Sequence, residues 1–523
     1  MKSLFRYLPP LLFAVYLFTF YALPVNLVVT DLGRHIANGM NVIAGNWDVL
    51  YTNFYSYTQP EHGFINHHWA TGVAFYLVHQ LVGFTGLHLL YILTMLLAAA
   101  LIIFSLPTPD RRVGMAVAII LTPLLAYRTE IRPEGFSYLL MAISYFSLTR
   151  FTQDKWSFRK IMLILFPIQI LWVNLHIFWI MGPAFAGLFL FHATVVGDKL
   201  KVRPLILLSI VLVVCSFVNP FGINGVMAPF NILNEYGYMV AENQSLMFMY
   251  QRTGGTDLLF FAVIGFFSVM GGVWLTIKNR WKENLVPILL SLGFFGLGIF
   301  VIRGIALFAF MSIPLFVVVI TGLINTHFLQ TEKMVRTFII GGACMMVVVG
   351  FFTRNSMIGP LRYYQIEEKG KVSQKFHNKL GLQKGIHGSV DFFKKAKLPG
   401  PIFNNYDIGS FLIYGLPDQR VFVDNRPEAY SVPFFKEIYQ PMQEDPAVWE
   451  TMSIRYGIQS IFFNRHDNTP WGQDFLIRVV KDPNWVPIYV DAMTIILLKN
   501  TPENLVWIDQ YRLPDSMFGA KPN

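Results

Sequence analysis

Apolar stretches recur along the first two thirds of the chain, separated by short polar segments. They fall at residues 10–29, 85–106, 113–127, 134–149, 161–177, 178–196, 204–219, 258–277, 285–302, 304–323 and 336–352. An apolar helix of about 20 residues crosses the hydrocarbon core of a bilayer, so the pattern predicts a polytopic all-α membrane domain with about eleven spans. The first two spans are joined by a long loop, residues 30–84. Within it, residues 31–44 read as a short helix beginning at Asp31, which puts Asp31 and His35 on one face. Residues 68–82 have apolar positions at helical spacing and read as an amphipathic helix lying at the interface. Residues 219–257, with Asn219-Pro220-Phe221-Gly222, are expected to re-enter the membrane edge or cap a cavity.

Beyond Arg354 the apolar runs shorten. Residues 363–397 are mostly polar and basic, as expected of a helix and linker at the membrane surface. Alternating or apolar strands are then predicted at 420–424 and 460–463, with a hairpin over 486–498 turning near Asp491. Helices are predicted at 403–415, 431–441 and 446–456. This alternation predicts a small α/β domain. The expected organisation is a membrane domain over 1–352, a juxtamembrane helix and linker over 353–397, and an extracytoplasmic α/β domain over 398–523. Asp424-Asn425-Arg426-Pro427 would end one strand, either as part of a ligand site or as a buried ion pair that orients the loop.

Composition supports the membrane assignment and charge orients it. Of 523 residues, 54% are hydrophobic and 14% charged, against about 25% charged in soluble domains. Mean hydropathy is +0.48. With the N-terminus inside, the cytoplasmic loops carry sixteen basic residues, among them Arg111, Arg112, Lys199, Lys201 and Lys278. The opposite loops up to residue 352 carry Arg34, Arg128, Arg132, Arg252 and Arg303. This is the positive-inside bias, and an odd number of spans then places the C-terminal domain outside. The net charge of +10 is therefore a topology signal, and no nucleic acid partner is expected. Cys215 and Cys344 lie in apolar runs without metal-site spacing, and no disulfide is expected. The basic start, MKSLFRYLPP, reads as the head of a retained first helix. No nucleotide-binding, zinc-protease or serine-hydrolase motif is present.

The candidate chemistry sits just beyond the first apolar run, in Thr30-Asp31-Leu32-Gly33-Arg34-His35 and then Asn66-His67-His68-Trp69. Ionisable groups beside a bilayer are costly and call for a functional account. Transfer of a sugar from a lipid phosphate fits these residue types. The acceptor needs a carboxylate to take its proton, and the phosphate leaving group needs cations. Asp31 is the candidate base, assisted by His35. Arg34, Arg128, Arg132 and Arg303 are candidates for the phosphate, and His67, His68, Asn174 and His176 for substrate contacts. Asp31 with His67 or His68 is a candidate ligand set for a divalent cation, Mg or Mn. The competing readings are Asp31 as a helix cap with a nearby cation, Arg303 as an interface anchor, one of His67 and His68 as a packing residue, Asn174 and His176 satisfying local backbone, and Arg128 and Arg132 in a salt-bridge network with Glu130 and Glu134.

On these residues the chain resembles the GT-C superfamily of polyprenyl-phosphate-dependent membrane glycosyltransferases, and more narrowly a group of bacterial multispan GT-C-like proteins. That group's first loop reads D-x-D-L-W-W-H-L-x-x-G. Here the stretch is Val29-Thr30-Asp31-Leu32-Gly33-Arg34-His35-Ile36-Ala37-Asn38-Gly39, with Val29 for the first Asp. D-P-F-S-F-T and N-H-E-W-L are similar to Thr52-Asn53-Phe54-Tyr55-Ser56-Tyr57-Thr58 and Asn66-His67-His68-Trp69-Ala70, with His68 for the Glu. Later patterns resemble Asn404-Asn405-Tyr406-Asp407, Val421-Phe422-Val423-Asp424-Asn425-Arg426 and Arg455-Tyr456-Gly457. The resemblance implies inverting transfer with Asp31 catalytic, a polyprenyl-phosphate sugar donor, contact with membrane lipid, and a bacterial inner membrane with the C-terminal domain in the periplasm. It leaves open a non-catalytic accessory subunit that binds an envelope protein partner, and a lipid or sugar transporter.

Overall fold

A computed structural model describes residues 4–231, 236–324, 379–467 and 469–518, with residue 341 and the strand residues 365–366 and 372–373. Helix α1 (Leu4–Tyr21) is followed by α2 (Leu32–Ile43) in the long loop, and then by α3 (Trp69–Ser105), α4 (Arg111–Leu125), α5 (Glu134–Thr152), α6 (Phe158–Leu175), α7 (Met181–Val196) and α8 (Lys199–Cys215). Two short helices follow, α9 (Ile223–Asn231) and α10 (Leu246–Thr253), before α11 (Thr256–Ile277), α12 (Leu285–Phe300) and α13 (Gly304–Leu323). Each of the first ten stretches predicted from hydropathy is thus largely helical; the eleventh, 336–352, and most of 353–378 lie outside the described residues. Among the described residues five helices are long and apolar enough to cross a membrane: Trp69–Ser105, Phe158–Leu175, Ile177–Val196, Thr256–Ile277 and Gly304–Leu323. Pro10–Tyr21 and Leu285–Phe300 are shorter apolar helices. Helix α11 exposes Leu259, Val263, Phe266, Met270, Val273 and Ile277 along one stripe, the arrangement of a helix whose outer face meets lipid rather than water.

Two elements depart from the expected pattern. The first apolar run does not stay helical to residue 29, because Pro24 lacks a donor and cannot continue a helix. The chain instead makes one parallel bridge, in which Val25 N donates to Gly381 O at 2.8 Å and Gln383 N donates to Val25 O at 2.9 Å, and then turns at 27–28. The expected interfacial helix 68–82 and the second span form one helix, α3, bent at Gly83 with φ 64°. A side chain is strained at that φ and glycine is not.

The C-terminal part holds a mixed sheet. Its strands are β3 (Ile402–Asn404), β4 (Ser460–Asn464), β5 (Trp485–Val490) and β6 (Thr494–Lys499); the short pair β1 (Gln365–Ile366) and β2 (Val372–Ser373) lies apart. The order is β3-β4-β6-β5, with β3 parallel to β4 and the other pairs antiparallel. The hairpin turns at Asp491, as predicted, where the carboxylate accepts from the backbone N–H of Met493 and Thr494 at 2.8 and 2.7 Å. Strand alternation buries both faces. Phe462, Ile496 and Leu498 join the core that continues into the helices, whereas Ile461, Phe463, Ile495 and Leu497 join a second core with Phe403, Trp449 and Phe475.

Residues 403 and 404, expected to begin a helix over 403–415, lie in β3 instead, and the helix there is α15 (Gly409–Gly415), preceded by α14 (Gly388–Ala396). Residues 420–424, expected as a strand of the sheet, pair with the long loop instead. Val421 N donates to Tyr55 O at 3.0 Å and Tyr57 N donates to Val421 O at 3.2 Å. The predicted helix over 431–441 is present from Val432 and contains a π-helical turn, Phe434–Tyr439; the third predicted helix is present over Pro446–Arg455.

Candidate active site

Helix α2 carries the candidate base and is pressed against the start of α3. The crossing is close because both helices present glycine. A Cβ added at Gly39 would lie 2.0 Å from the Gly72 carbonyl oxygen, and one at Gly72 would lie 2.8 Å from the His35 carbonyl oxygen. This contact brings Asp31 and His35 of α2 beside His67 and His68, which precede α3.

Asp31 occupies the N-cap position of α2 but makes no capping hydrogen bond, so the capping role does not account for it. Its Oδ2 lies 3.5 Å from His35 Nε2, 3.7 Å from Arg132 Nη1 and 3.8 Å from Arg34 Nη2. Its Oδ1 is buried without a hydrogen-bond partner. Burial alone would raise the carboxyl's pKa; Arg132, then His35 and Arg34, overcome that and hold it well below the usual carboxylate range. Asp31 is therefore an anion at neutral pH.

The arginines converge on a residue that the sequence did not single out, Glu242. Its carboxylate accepts directly from Arg128 and Arg303, and from Arg132 at 3.3 Å. Arg128 also pairs with Glu134 at 2.6 Å, and Arg132 with Glu130 at 2.8 Å. The network foreseen for Arg128 and Arg132 is present, and Glu242 extends it to Arg303. Burial would raise Glu242, but Arg128, Arg132 and Arg303 hold it well below its ordinary range. Arg34, Arg128, Arg132 and Arg303 balance Asp31, Glu130, Glu134 and Glu242 in formal charge. The cluster is open on one side: the side chains of Arg303, Arg132 and Asp31 are 28%, 17% and 16% exposed, against 7% for Arg128. Buried Arg303 Nε and Arg128 Nη2 have no hydrogen-bond partner, so the cluster retains donor capacity. Arg34 faces the C-terminal part, its N–H donating to Ser410 Oγ at 2.9 Å and its Nε to Asn425 Oδ1 at 3.4 Å.

Four imidazoles form a file beside Asp31. His35 lies 5.6 Å from His68 between ring centroids, His68 lies 4.0 Å from His67, and His68 stacks on His176 at 4.9 Å. Burial, with Arg34 next, pulls His35 down to about 4; burial is also the main cause that brings His67 to about 4. Both rings are neutral at pH 7. His67 hydrogen-bonds the Ile65 backbone through Nδ1 at 3.1 Å, and Ser137 Oγ lies 2.8 Å from His176 Nδ1. Asn174 is committed elsewhere: it accepts from Trp69 Nε1 at 2.9 Å and donates to the Ile170 and Val218 carbonyls, both at 2.8 Å. It pins Trp69 rather than joining the cluster.

A divalent cation fits these residues poorly. Among the described residues Asp31 is the one carboxylate within 4 Å of these imidazoles, and guanidinium groups already flank it. Among the described residues no group of three or more His, Cys, Asp or Glu is placed to hold a metal ion. The Asp424-Arg426 element is a buried ion pair, with Arg426 donating to Asp424 at 2.6 and 2.7 Å and to Asn53 at 2.8 Å. That is the orienting role rather than a ligand site.

The backbone matches two solved structures over 95% of the chain. One is the archaeal oligosaccharyltransferase AglB from Archaeoglobus fulgidus, in complex with an inhibitory peptide and a dolichol-phosphate, at TM-score 0.56 and 9% identity over 75% of that chain. The other is ArnT from Cupriavidus metallidurans bound to undecaprenyl phosphate, at TM-score 0.50 and 14% identity over 97% of that chain. Both are GT-C polyprenyl-phosphate-dependent glycosyltransferases. The chain has the GT-C fold. No protein-family model matches the sequence, and no curated protein matches it significantly. Within this GT-C fold the ionisable cluster is assembled from the long first loop, the α4–α5 turn, the segment before α10 and the start of α13. Sequence pattern had no means of finding Glu242, which lies in a charge-poor stretch more than a hundred residues from its partners in the α4–α5 turn.

Proposed function

We propose that this protein is an inverting membrane glycosyltransferase that moves a sugar from a polyprenyl-phosphate donor to an acceptor at the outer face of a bacterial inner membrane. The observation that carries the reading is the Asp31 carboxylate: ionised, free of any capping role, with Oδ1 unpartnered and the Arg34 and Arg132 guanidinium groups within 4 Å of Oδ2. In this reaction the acceptor oxygen or nitrogen forms a bond to the anomeric carbon as the bond from that carbon to the phosphate oxygen breaks. Asp31 takes the acceptor's proton, and the polyprenyl phosphate leaves with the electron pair. A single displacement by the acceptor inverts the anomeric centre, with the carboxylate acting only as base. Arg132 and Arg303, the more exposed arginines, are placed for the phosphate. His35, neutral, orients the Asp31 carboxylate. The poor fit of a dication supports guanidinium groups, rather than a metal, as the charge facing the phosphate. The charge bias of the loops supports eleven spans with the C-terminal α/β domain on the periplasmic side.

The test is release of undecaprenyl phosphate from a panel of undecaprenyl-phosphate-linked hexoses and pentoses in proteoliposomes. Wild type is expected to release it from at least one donor, and Asp31→Asn to lower that rate by about a hundredfold or more. Unchanged release in Asp31→Asn overturns Asp31 as the base.

One observation favours a second reading. The cluster's charges already balance, as in a structural network, which fits a non-catalytic GT-C-like subunit that binds a lipid or an envelope protein. That reading predicts no release from any donor, and a partner protein that co-purifies with Asp31→Asn as well as with wild type.

A further inference from the structure

Beside His67 lies a cleft of about 950 Å³ between the long loop, α9 and the C-terminal part. Its volume is that of a small-molecule site. His67 lines it and links it through His68 and His35 to Asp31. Three features of its wall define what it accepts.

The first is a pair of acceptors. The Ile65 carbonyl can only accept, so the hydrogen on His67 sits on Nδ1. The neutral ring then presents Nε2 as a lone pair, with no hydrogen-bond partner among the described residues. Glu428 also lines the cleft and forms no ion pair with any described residue. Burial raises its pKa, and a hydrogen bond to its own backbone, then Arg34 and Arg426, counteract that only in part. The second feature is aromatic. Tyr51 and Phe221 meet edge-to-face at 5.5 Å in the wall, and Tyr51 is 46% exposed. The third is the composition of the wall: neither Lys nor Arg is among the described residues that line the cleft. A phosphate therefore finds its cations at Arg132 and Arg303, not here. An acyl chain would leave a carboxylate and an imidazole unsatisfied, at a cost in binding.

We propose that this cleft binds a carbohydrate, with Glu428 and His67 Nε2 accepting its hydroxyl hydrogens and Tyr51 and Phe221 covering its C–H face. Its role as the acceptor rests on the transfer reading, whereas its binding does not. The cleft and the arginine cluster would then hold the two substrates, with His67, His68 and His35 linking the cleft to Asp31.

Saturation-transfer NMR on the full chain in nanodiscs tests this without any donor. The probes are the methyl glycosides of glucose, galactose, mannose, N-acetylglucosamine and glucosamine, with octyl glucoside as an amphiphile. At least one methyl glycoside is expected to receive saturation. The signal should fall at least about threefold in Glu428→Gln and in Tyr51→Ala, whose thermal transitions report whether each still folds. No transfer to any methyl glycoside overturns the proposal, as does a signal in both variants equal to that of wild type. Transfer confined to the octyl chain makes the cleft an acyl groove and overturns it too. Glycoside binding without turnover of any donor would leave this proposal standing and remove the transfer reading; turnover without glycoside binding would do the reverse.

Discussion

At the residue scale Glu242 is the carboxylate shared by Arg128, Arg132 and Arg303, and that sharing has a measurable consequence. A phosphate entering beside Arg132 and Arg303 competes with the Glu242 carboxylate for the same guanidinium groups. Removing one partner of a buried ionic network costs about 3–5 kcal/mol, so Glu242→Gln is expected to lower the melting temperature of the purified protein. Added undecaprenyl phosphate should recover more of that loss in Glu242→Gln than it adds to wild type, because the lipid phosphate replaces the missing charge. Equal shifts in the two proteins would mean that phosphate does not bind at these arginines. The histidines give a pH dependence of definite sign. His35 and His67 are pulled from 6.5 to about 4 in the folded protein. Between those values the unfolded chain binds protons more readily than the folded one, so stability is full above about pH 6.5 and is lost as pH falls through 4. A melting temperature in nanodiscs that is level above pH 7 and declines below 6.5 fits; one that rises on acidification does not. Asp31 and His35 were legible as a facing pair because helical spacing fixes it. Glu242 was not, since its role depends on a tertiary approach that no local pattern encodes.

At the element scale the site depends on how closely α2 lies on α3. Gly39 and Gly72 permit that approach, and a methyl group at 39 would overlap the Gly72 carbonyl. Backbone cannot yield as a flexible side chain can. Gly39→Ala is therefore expected to cost about 1–3 kcal/mol or more and to displace Asp31 from the arginines, with loss of donor turnover. Gly63→Ala is the control, since a Cβ there meets nothing within 4 Å. Similar melting temperatures for the two variants would contradict this account of the crossing. The helices were readable from hydropathy because their apolar runs are long and charge-free. Residues 420–424 were misread because Val421, Phe422 and Val423 are as apolar as a buried strand. Their ladder partners are replaced by side chains and by the loop: Asn404 donates to the Val423 carbonyl at 2.7 Å and accepts from Phe422 N at 3.0 Å. Burial alone does not distinguish such a segment from a strand.

At the scale of the whole molecule the sheet and the membrane helices share one core. Phe411, Phe462 and Ile496 belong to the same cluster as Leu17, Met95 and Phe308. The long loop is stitched to the sheet region by Tyr57 Oη to the Ile402 carbonyl at 2.9 Å, Thr58 Oγ1 to the Phe422 carbonyl at 2.8 Å, and Arg426 to Asn53. The C-terminal part thus forms a wall of both the arginine cluster, through Asn425 and Ser410, and the cleft, through Glu428. A fragment spanning 398–518 would expose one apolar sheet face, and is expected to aggregate or to lack a cooperative thermal transition when expressed alone; a soluble, cooperatively melting fragment would refute the shared core. The composition shift after Arg354 revealed a second structural part but not its dependence on the first, because interface residues read as ordinary strand interior.

The central claim, that the Asp31 cluster is where a polyprenyl phosphate meets its acceptor, is tested most directly by a cryo-EM map of the full chain in nanodiscs with undecaprenyl phosphate added. The account predicts phosphate density between Asp31 and the Arg132 and Arg303 side chains, with Glu242 released from at least one of them. Phosphate density elsewhere, with the Glu242 network intact and Asp31 still held by Arg34 and Arg132, would contradict it.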